Sequence, residues 1–363
     1  MDFAFSDDQV ALQALAHEIL SEQVTNEHLQ ALEAEAGGAV YDAALWKQLA
    51  ASGLTGIAVP EEHGGAGLGF VDLAVIFDEI GRAVAPVPAV PTLVTAYVLG
   101  KSAPEAISAH LPGVASGDTI LTTAFGDAED LTASRDGDSV VLDGERGFVP
   151  YGALAEVVVV PALLDGAVAL ALVPKGTAGV TATELHTTNH EPQALLTFAG
   201  VKLDAAQLIT DAGEIYADLV RHHTAALSMV AAGVCAEALA MTAKYTSERE
   251  QFDKKIASFQ AVGQRAADAY IDTELIRLTA LQAIWRLAEG WPADEAVAIA
   301  KFWAGDGGTR VVHAAQHLHG GLGVDLDYPL HRYFIWCKQI ENELGSPTRQ
   351  LLSLGAMLAA NPV

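Results

Sequence analysis

SEREQFDKKIASFQAVGQ, running from Ser247 to Gln264, puts a cation, an aromatic ring and two amides into one short stretch: Arg249, Phe252, Gln260 and Gln264. A guanidinium pairs with phosphate oxygens and a ring offers an apolar wall, so the combination suits a diphosphate attached to a flat heterocycle. The plainer reading is a helix exit carrying ordinary surface charges. Upstream, the small apolar residues from Ala225 to Ala243 read as a buried helix, which fits either. The rest of the chain has to decide.

At 363 residues and 51% hydrophobic, the chain can bury a large core divided into subdomains. Twenty basic residues against 46 acidic ones leave a formal charge of −26. That field repels nucleic acid and anionic membrane surfaces, so neither is an expected partner. An anionic ligand has to be caught by local cations or helix N-termini. Cys235 and Cys337 lie far apart and offer no metal spacing; both are expected as small core residues in a reduced, cytoplasmic setting, and no metal site is expected. The start MDFAFSDDQ lacks a basic n-region, so no secretory leader is expected. Val157 to Val173 reads as the most apolar window, but Pro161 and Asp165-Gly166 interrupt it and no membrane span is expected.

Residues 1–117 read as a helical domain. Ser6 with Gln9 makes a capping box, and Leu12, Leu15, Ala16, Ile19 and Leu20 follow at helical spacing. Gly65, Gly67 and Gly69 imitate a dinucleotide fingerprint, but no apolar strand leads into them. Residues 118–208 read as a small antiparallel β domain. Its strand-like runs are Val140 to Leu142, Val157 to Leu163, Val168 to Val173 and Leu195 to Phe198. Asp136-Gly137, Asp143-Gly144 and Asp165-Gly166 between them are hairpin signals. Residues 209–363 read as a four-helix bundle, with helices near 212–246, 259–289, 294–317 and 347–359.

This order, and three motifs, resemble the acyl-CoA dehydrogenase family of flavoproteins along nearly the whole chain. LWKQLAASGLTGIAVPEEHGGAGLGFVDLAVIFDEIGRAVAPVP (Leu45 to Pro88) is similar to the family's Leu-Trp, Pro-Glu-Glu and Glu-x-Gly-Arg signature. The Ser247–Gln264 stretch resembles its Arg-x-x-Phe-Gly…Phe-Gln motif. HLHGGLGVDLDYPLHRY (His317 to Tyr333) resembles its Gln-x-His-Gly-Gly-x-Gly…Tyr-Pro…Arg motif. The resemblance implies a mainly α fold with an inserted β domain and a C-terminal four-helix bundle. It implies FAD as cofactor, an acyl-CoA substrate, and electron-transfer flavoprotein or a similar acceptor. In such chemistry a carboxylate removes the α-proton of a thioester while hydride passes to the flavin, and hydrogen bonds steady the enolate.

The resemblance also shows what is missing. Most members carry the basic Glu just before a Gly-Thr pair near the C-terminus, and IENELGSPTRQ (Ile340 to Gln350) puts Leu344 there. Others carry it on the helix before the Arg-x-x-Phe motif, and the matching position is His223. No catalytic residue is therefore expected at the usual places, with Glu343 as a displaced candidate and Glu341 and Glu343 otherwise solvated charges. Arg221, near the base-equivalent position, is a candidate contact for CoA phosphate or a partner's Glu. On the ring side, TTAFGDAEDL (Thr122 to Leu131) and GERGFVPYGA (Gly144 to Ala153) have lost most of the family's pattern. Thr122 and Thr123 still offer hydroxyls, and Phe148 stands near the Trp position.

The adenosine side is kept. Arg249, Phe252, Ile256, Phe259, Gln260, Gly320 and Gly321 match the residues with which a family member reaches its neighbour's FAD. His317 stands where the motif has Gln, and Asp253 where it has Gly. A subunit that keeps the half it gives and loses the half it needs resembles the β-type subunit of actinobacterial α2β2 acyl-CoA dehydrogenases acting on steroid side-chain thioesters. The implied partner is a homologous subunit that brings the Glu and the ring pocket. Two alternatives stay open: a complete homo-oligomeric enzyme using Glu343, and a redox-inactive scaffold of the same fold.

Overall fold

The computed structural model describes residues 5–360 apart from residue 138. Helices α1 (Asp7–Gln23), α2 (Asn26–Ala36), α3 (Ala43–Ala51), α4 (Phe70–Ala83), α5 (Ala89–Ser102), α6 (Pro104–Ile107) and α7 (Leu111–Ala115) come first. Ser6 and Gln9 form the expected reciprocal cap on α1. Ala16, Ile19 and Leu20 are buried, whereas Leu15 is exposed. The glycine-rich turn before α4 serves close packing: a Cβ on Gly65 would stand 2.0 Å from the Val59 carbonyl oxygen and 2.5 Å from that of Gly56.

Strands β1 (Leu121–Thr123), β2 (Leu131–Asp136), β3 (Ser139–Pro150), β4 (Val157–Leu164), β5 (Ala167–Pro174), β6 (Val180–Leu185), β7 (Gln193–Asp204) and β8 (Leu208–Ile209) follow. They form one sheet in the order β6-β7-β3-β2-β4-β5-β8, with β1 beside β4. Most pairs are antiparallel, but β1 and β2 each run parallel to β4, so the expected antiparallel domain is a mixed sheet. Asp165 (φ 53) and Gly166 (φ 86) make the expected tight turn. Asp143-Gly144 does not turn. It lies inside β3, where a register shift against β7 leaves Gly144 at φ 133 and the Asp143 carboxylate accepts from the Gly200 N–H at 2.6 Å. Leu142, Val149, Tyr151, Val160, Leu196 and Phe198 form the core of this sheet.

The chain then enters α8 (Gly213–Glu248), a two-residue-per-strand hairpin of β9 (Glu250–Gln251) and β10 (Lys254–Lys255), α9 (Gln260–Ala288), α10 (Asp294–Phe302), α11 (Gly308–His319), α12 (Leu330–Asn342) and α13 (Pro347–Ala360). A wide π turn, Trp303–Gly307, joins α10 to α11. α9 packs on α10 and α11, α11 on α12, and α13 on α10. α12 was not among the expected helices, although Leu330, Tyr333, Cys337 and Ile340 recur at helical spacing and are buried. α8 is apolar and long enough to cross a bilayer, but 72% of its most apolar window is buried inside the protein; it exceeds the Val157–Val173 window as the chain's apolar stretch and serves packing. Cys235 and Cys337 are free and buried. They meet beside Gly308, where a Cβ would stand 2.8 Å from the Cys337 Sγ and 3.6 Å from the Cys235 Sγ.

Two compact units emerge. One comprises Met1–Ala31, Ala74–Ala85 and Thr224–Val363, the other Leu32–Leu73 and Pro86–His223. The sheet belongs wholly to the second, and the hairpin and the last five helices wholly to the first.

Candidate functional site

At Glu248 the chain leaves α8 and doubles back, with Gln251 opposite Lys254 and Glu250 opposite Lys255. A loop this tight requires positive φ at both central residues, and Phe252 (55°) and Asp253 (61°) supply it. Asp253 thus holds the conformation for which the family pattern uses glycine; Asp is among the few residues that tolerate it. The turn lifts Phe252 into solvent, 87% exposed, with its ring edge-on to Phe259 at 6.3 Å. Lys254 Nζ stands 4.4 Å from the Phe259 ring centre. The Ile256 N–H donates to the Arg249 carbonyl at 2.9 Å and closes the foot of the hairpin. Arg249 is exposed and has no ion pair among the described residues. Gln260 opens α9, which has no side-chain cap, so its first N–H groups are left for solvent or an anion.

The second motif lies in the same unit. Gly320 ends α11 at φ 62, ψ −135, a conformation open in practice to glycine alone. A Cβ on Gly320 or Gly321 would meet nothing within 4 Å, so the backbone here is open to close approach. His317 is exposed on the last turn of α11, and its carbonyl accepts from the Gly320 N–H. A stack that the sequence reading did not find joins the motifs. Tyr245 lies against His319 at 4.4 Å, and His319 Nε2 is 3.2 Å from the Tyr328 hydroxyl. The Tyr245 carbonyl accepts from the Arg249 N–H. The Tyr245–His319 stack thus ties the helix that leads into Arg249 to the helix that ends at Gly320, within one compact unit. Tyr245 was within reach, being one helical turn before Arg249.

The base positions hold no free carboxylate in the expected role. Leu344 is half-buried at φ 53, and its carbonyl accepts from Gln350 Nε2 at 3.0 Å. Glu343 is half-buried at the end of α12. Glu341 is not a solvated charge: it accepts from Thr309 Oγ1 at 2.8 Å and pairs with Lys338. His223 is buried, with Nδ1 2.8 Å from the Leu219 carbonyl oxygen and Nε2 3.5 Å from Thr95 Oγ1. Burial pushes its imidazole down to about 3, far too weak a proton acceptor to replace a Glu. Arg221 is held on its own helix by Glu214 (2.7 Å) and Asp218 (2.8 Å), which argues against a free phosphate contact.

The ring-side residues are spent on the protein itself. Thr122 Oγ1 donates to the Pro150 carbonyl at 2.7 Å and Thr123 Oγ1 pairs with Thr95 Oγ1 at 3.0 Å, both fully buried. Neither hydroxyl is on offer, contrary to expectation. Arg146 is buried beside Gly126, where a Cβ would lie 1.9 Å from its Nη1. Its Nη2 donates to the Asp127 carbonyl and its Nη1 to Asp130. Phe125 packs against Tyr216 and His223. Phe148 has φ 55 and is 70% exposed.

Residues 6–118 match the model of the acyl-CoA dehydrogenase N-terminal domain, and residues 217–357 that of the C-terminal domain. The acyl-CoA dehydrogenase FadE27 of Mycobacterium tuberculosis (strain ATCC 25618 / H37Rv) is 39% identical over 378 residues, with all of both chains covered. The chain belongs to the acyl-CoA dehydrogenase family. A chain of the ChsE4–ChsE5 complex from Mycobacterium tuberculosis superimposes with a TM-score of 0.95 at 39% identity, covering 100% of each. One from a variant of the Tcur3481–Tcur3483 steroid ACAD gives 0.90 at 39%, covering 98% of each. Acyl-CoA dehydrogenases are oxidoreductases that use FAD, and this chain fits that cofactor unevenly. An exposed ring, an exposed guanidinium and open glycine backbone suit its adenosine diphosphate. The buried, internally bonded threonines do not suit its ring, while Arg146 keeps a buried Nε without a partner.

Proposed function

We propose that this chain is the base-lacking subunit of a heteromeric acyl-CoA dehydrogenase, holding the adenosine end of an FAD whose ring a homologous partner houses. The observation that carries this is the asymmetry within one polypeptide. Arg249, Phe252 and Gly321 stand ready at the surface, while Thr122, Thr123 and His223 are consumed internally and Leu344 replaces a base. Arg249 would pair with the diphosphate, Phe252 and Phe259 would flank the adenine, and Gly320-Gly321 would let the backbone close on it. When bound, FAD supplies the hydride acceptor for α,β-dehydrogenation of an acyl-CoA thioester. The partner would bring the carboxylate that takes the α-proton. An α2β2 assembly, a steroid side-chain CoA ester as substrate, and electron-transfer flavoprotein or a similar acceptor extend the same reading. The names of the ChsE4–ChsE5 complex and the Tcur3481–Tcur3483 steroid ACAD support a heteromer, and the second supports a steroid-type substrate. The cytoplasm is the expected compartment.

Expression with and without a homologous subunit tests the proposal. Alone, the chain should be colourless and inactive; with its partner it should copurify with about one FAD per pair and dehydrogenate an acyl-CoA. A lone homo-oligomer with full flavin and turnover would overturn it.

A further inference from the structure

Gly320 and Gly321 head a loop, residues 320–327, that leaves α11 through the tight turn Gly320–Val324. Its middle folds back on α11: a Cβ on Gly323 would stand 2.7 Å from the Gln316 carbonyl oxygen. Its tip carries Val324 and Leu326 in solvent. Its far end is tied down at Asp327, whose carbonyl accepts from Asn26 Nδ2 at 3.0 Å. Glycines let a ligand come close but leave a chain loose, so something has to hold this backbone still.

His319, the residue before Gly320, is 3% exposed. Its Nδ1 lies 2.8 Å from the Ala315 carbonyl oxygen and its Nε2 3.2 Å from the Tyr328 hydroxyl. A carbonyl can only accept, so Nδ1 carries the proton and Nε2 accepts that of the hydroxyl. Burial pulls the imidazole pKa down, which favours this neutral form. Tyr328 is fixed in turn, its carbonyl 2.8 Å from His331 Nδ1. From α8 the Tyr245 ring stacks on the same imidazole, 4.4 Å away with 18° between the planes. The Tyr245 carbonyl accepts the Arg249 N–H at 2.8 Å. One imidazole therefore joins the start of the glycine loop, the residue that ends it and the helix that leads to Arg249.

On the reading that this clamp grips FAD, we infer that His319, pinned by Tyr328 and Tyr245, is its positioning residue. It fixes the Gly320-Gly321 backbone before the adenosine diphosphate arrives. A backbone already held loses less freedom on binding, so affinity depends on the pin. Being almost fully buried, His319 acts through the glycines and not by touching the cofactor.

Release of FAD on dilution of the assembly formed with a homologous subunit, followed by flavin fluorescence, tests this, with thermal melting of the same assembly recorded beside it. His319→Leu should weaken FAD at least about tenfold. Tyr328→Phe, which loses one hydrogen bond, should weaken it about fivefold. The double variant should lose no more than His319→Leu alone, because both break the same pin. Should His319→Leu not fold, Tyr328→Phe, at a half-buried ring, carries the test. Arg249→Ala separates the pin from the clamp beneath it: if that variant keeps FAD, the clamp and its positioning residue both fall. If Arg249→Ala loses FAD while Tyr328→Phe keeps it, or if the His319 and Tyr328 losses simply add, the clamp stands and His319 does not position it. Lowered melting temperatures with FAD affinity intact would make the histidine merely structural and overturn the inference likewise.

Discussion

Asp253 sits at φ 61 where the acyl-CoA dehydrogenase pattern places glycine, and the hairpin tolerates it because a short polar side chain costs little there. A β-branched residue does not share that tolerance. Asp253→Val should therefore lower stability by about 1–2 kcal/mol, whereas Asp253→Gly should stay close to the parent, as urea unfolding would show; equal stabilities would mean that the tip is not held in this conformation. Lys301 is a second telling residue. It is fully buried, and its ammonium donates to the carbonyls of Ile340 (2.6 Å) and Glu341 (3.3 Å), at the end of α12 just before Leu344. Burial pulls its pKa from 10.5 down to about 8. Between about 8 and 10.5 the unfolded chain then holds more protons than the folded one, so this group makes stability rise with pH across that window. Lys301→Met should flatten that rise. It should also cost about 1–3 kcal/mol at neutral pH by stranding two carbonyls. Denaturant titrations at pH 7.5 and 9.5, parent beside variant, check both; an unchanged pH slope would remove the depressed pKa.

Among elements, the contact between α4 and α8 explains a motif that the sequence only displayed. In the Glu79–Arg82 helix end, a Cβ on Gly81 would stand 2.1 Å from the Val230 carbonyl oxygen. Reciprocally, one on Gly233 would stand 2.0 Å from the Asp78 carbonyl oxygen and 2.8 Å from the Arg82 nitrogen. The two helices touch backbone to backbone. Around the notch Arg82 holds Asp78 at 3.0 Å, and Glu79 is held by Gln13 and His17 at 2.9 Å each. Because backbone cannot swing aside as a side chain can, Gly233→Ala should destabilise by about 3 kcal/mol and visibly lower the melting temperature by circular dichroism; an unshifted transition would show the helices are further apart than described. Gly233 was unreadable in sequence, since a glycine in a long small-residue helix looks like any other small residue. Asp143-Gly144 failed for the opposite reason: the pair is a strong local turn signal, but pairing with β7 absorbed it as a bulge. Where local chemistry and tertiary pairing agreed, as at Ser6–Gln9, Asp165-Gly166 and the α9 start, the elements were legible.

At the scale of the whole molecule, a field of −26 leaves any diphosphate dependent on the few cations beside Phe252. The residues of the proposed clamp could be named from sequence because each of its halves is one contiguous stretch, whereas the packing that joins them, Tyr245 on His319, links separate helices. The closed ring side was only half legible. Lost motif letters showed that something had changed, but the groups that consume Thr122 and Thr123 come from Pro150 and Thr95, distant in sequence. This difference between the two sides bears on what substitutions can restore. If the missing base were the sole defect, Leu344→Glu would return activity to this subunit. In the proposed division, however, the ring side is filled by the chain's own hydrogen bonds, and a carboxylate there would have no flavin to work against. In the proposed assembly with its partner, Leu344→Glu should thus leave both flavin content and turnover per flavin unchanged. Phe252→Ala, far from any chemistry, should instead lose adenine stacking of about 1–3 kcal/mol, weakening FAD roughly tenfold to a hundredfold, with turnover per bound flavin preserved. Flavin absorbance per protein and acyl-CoA-dependent bleaching, measured on both variants, separate the two. A doubled flavin content in the Leu344 variant, or an undiminished one in the Phe252 variant, would mean that the adenosine end and the ring are not divided between subunits in this way.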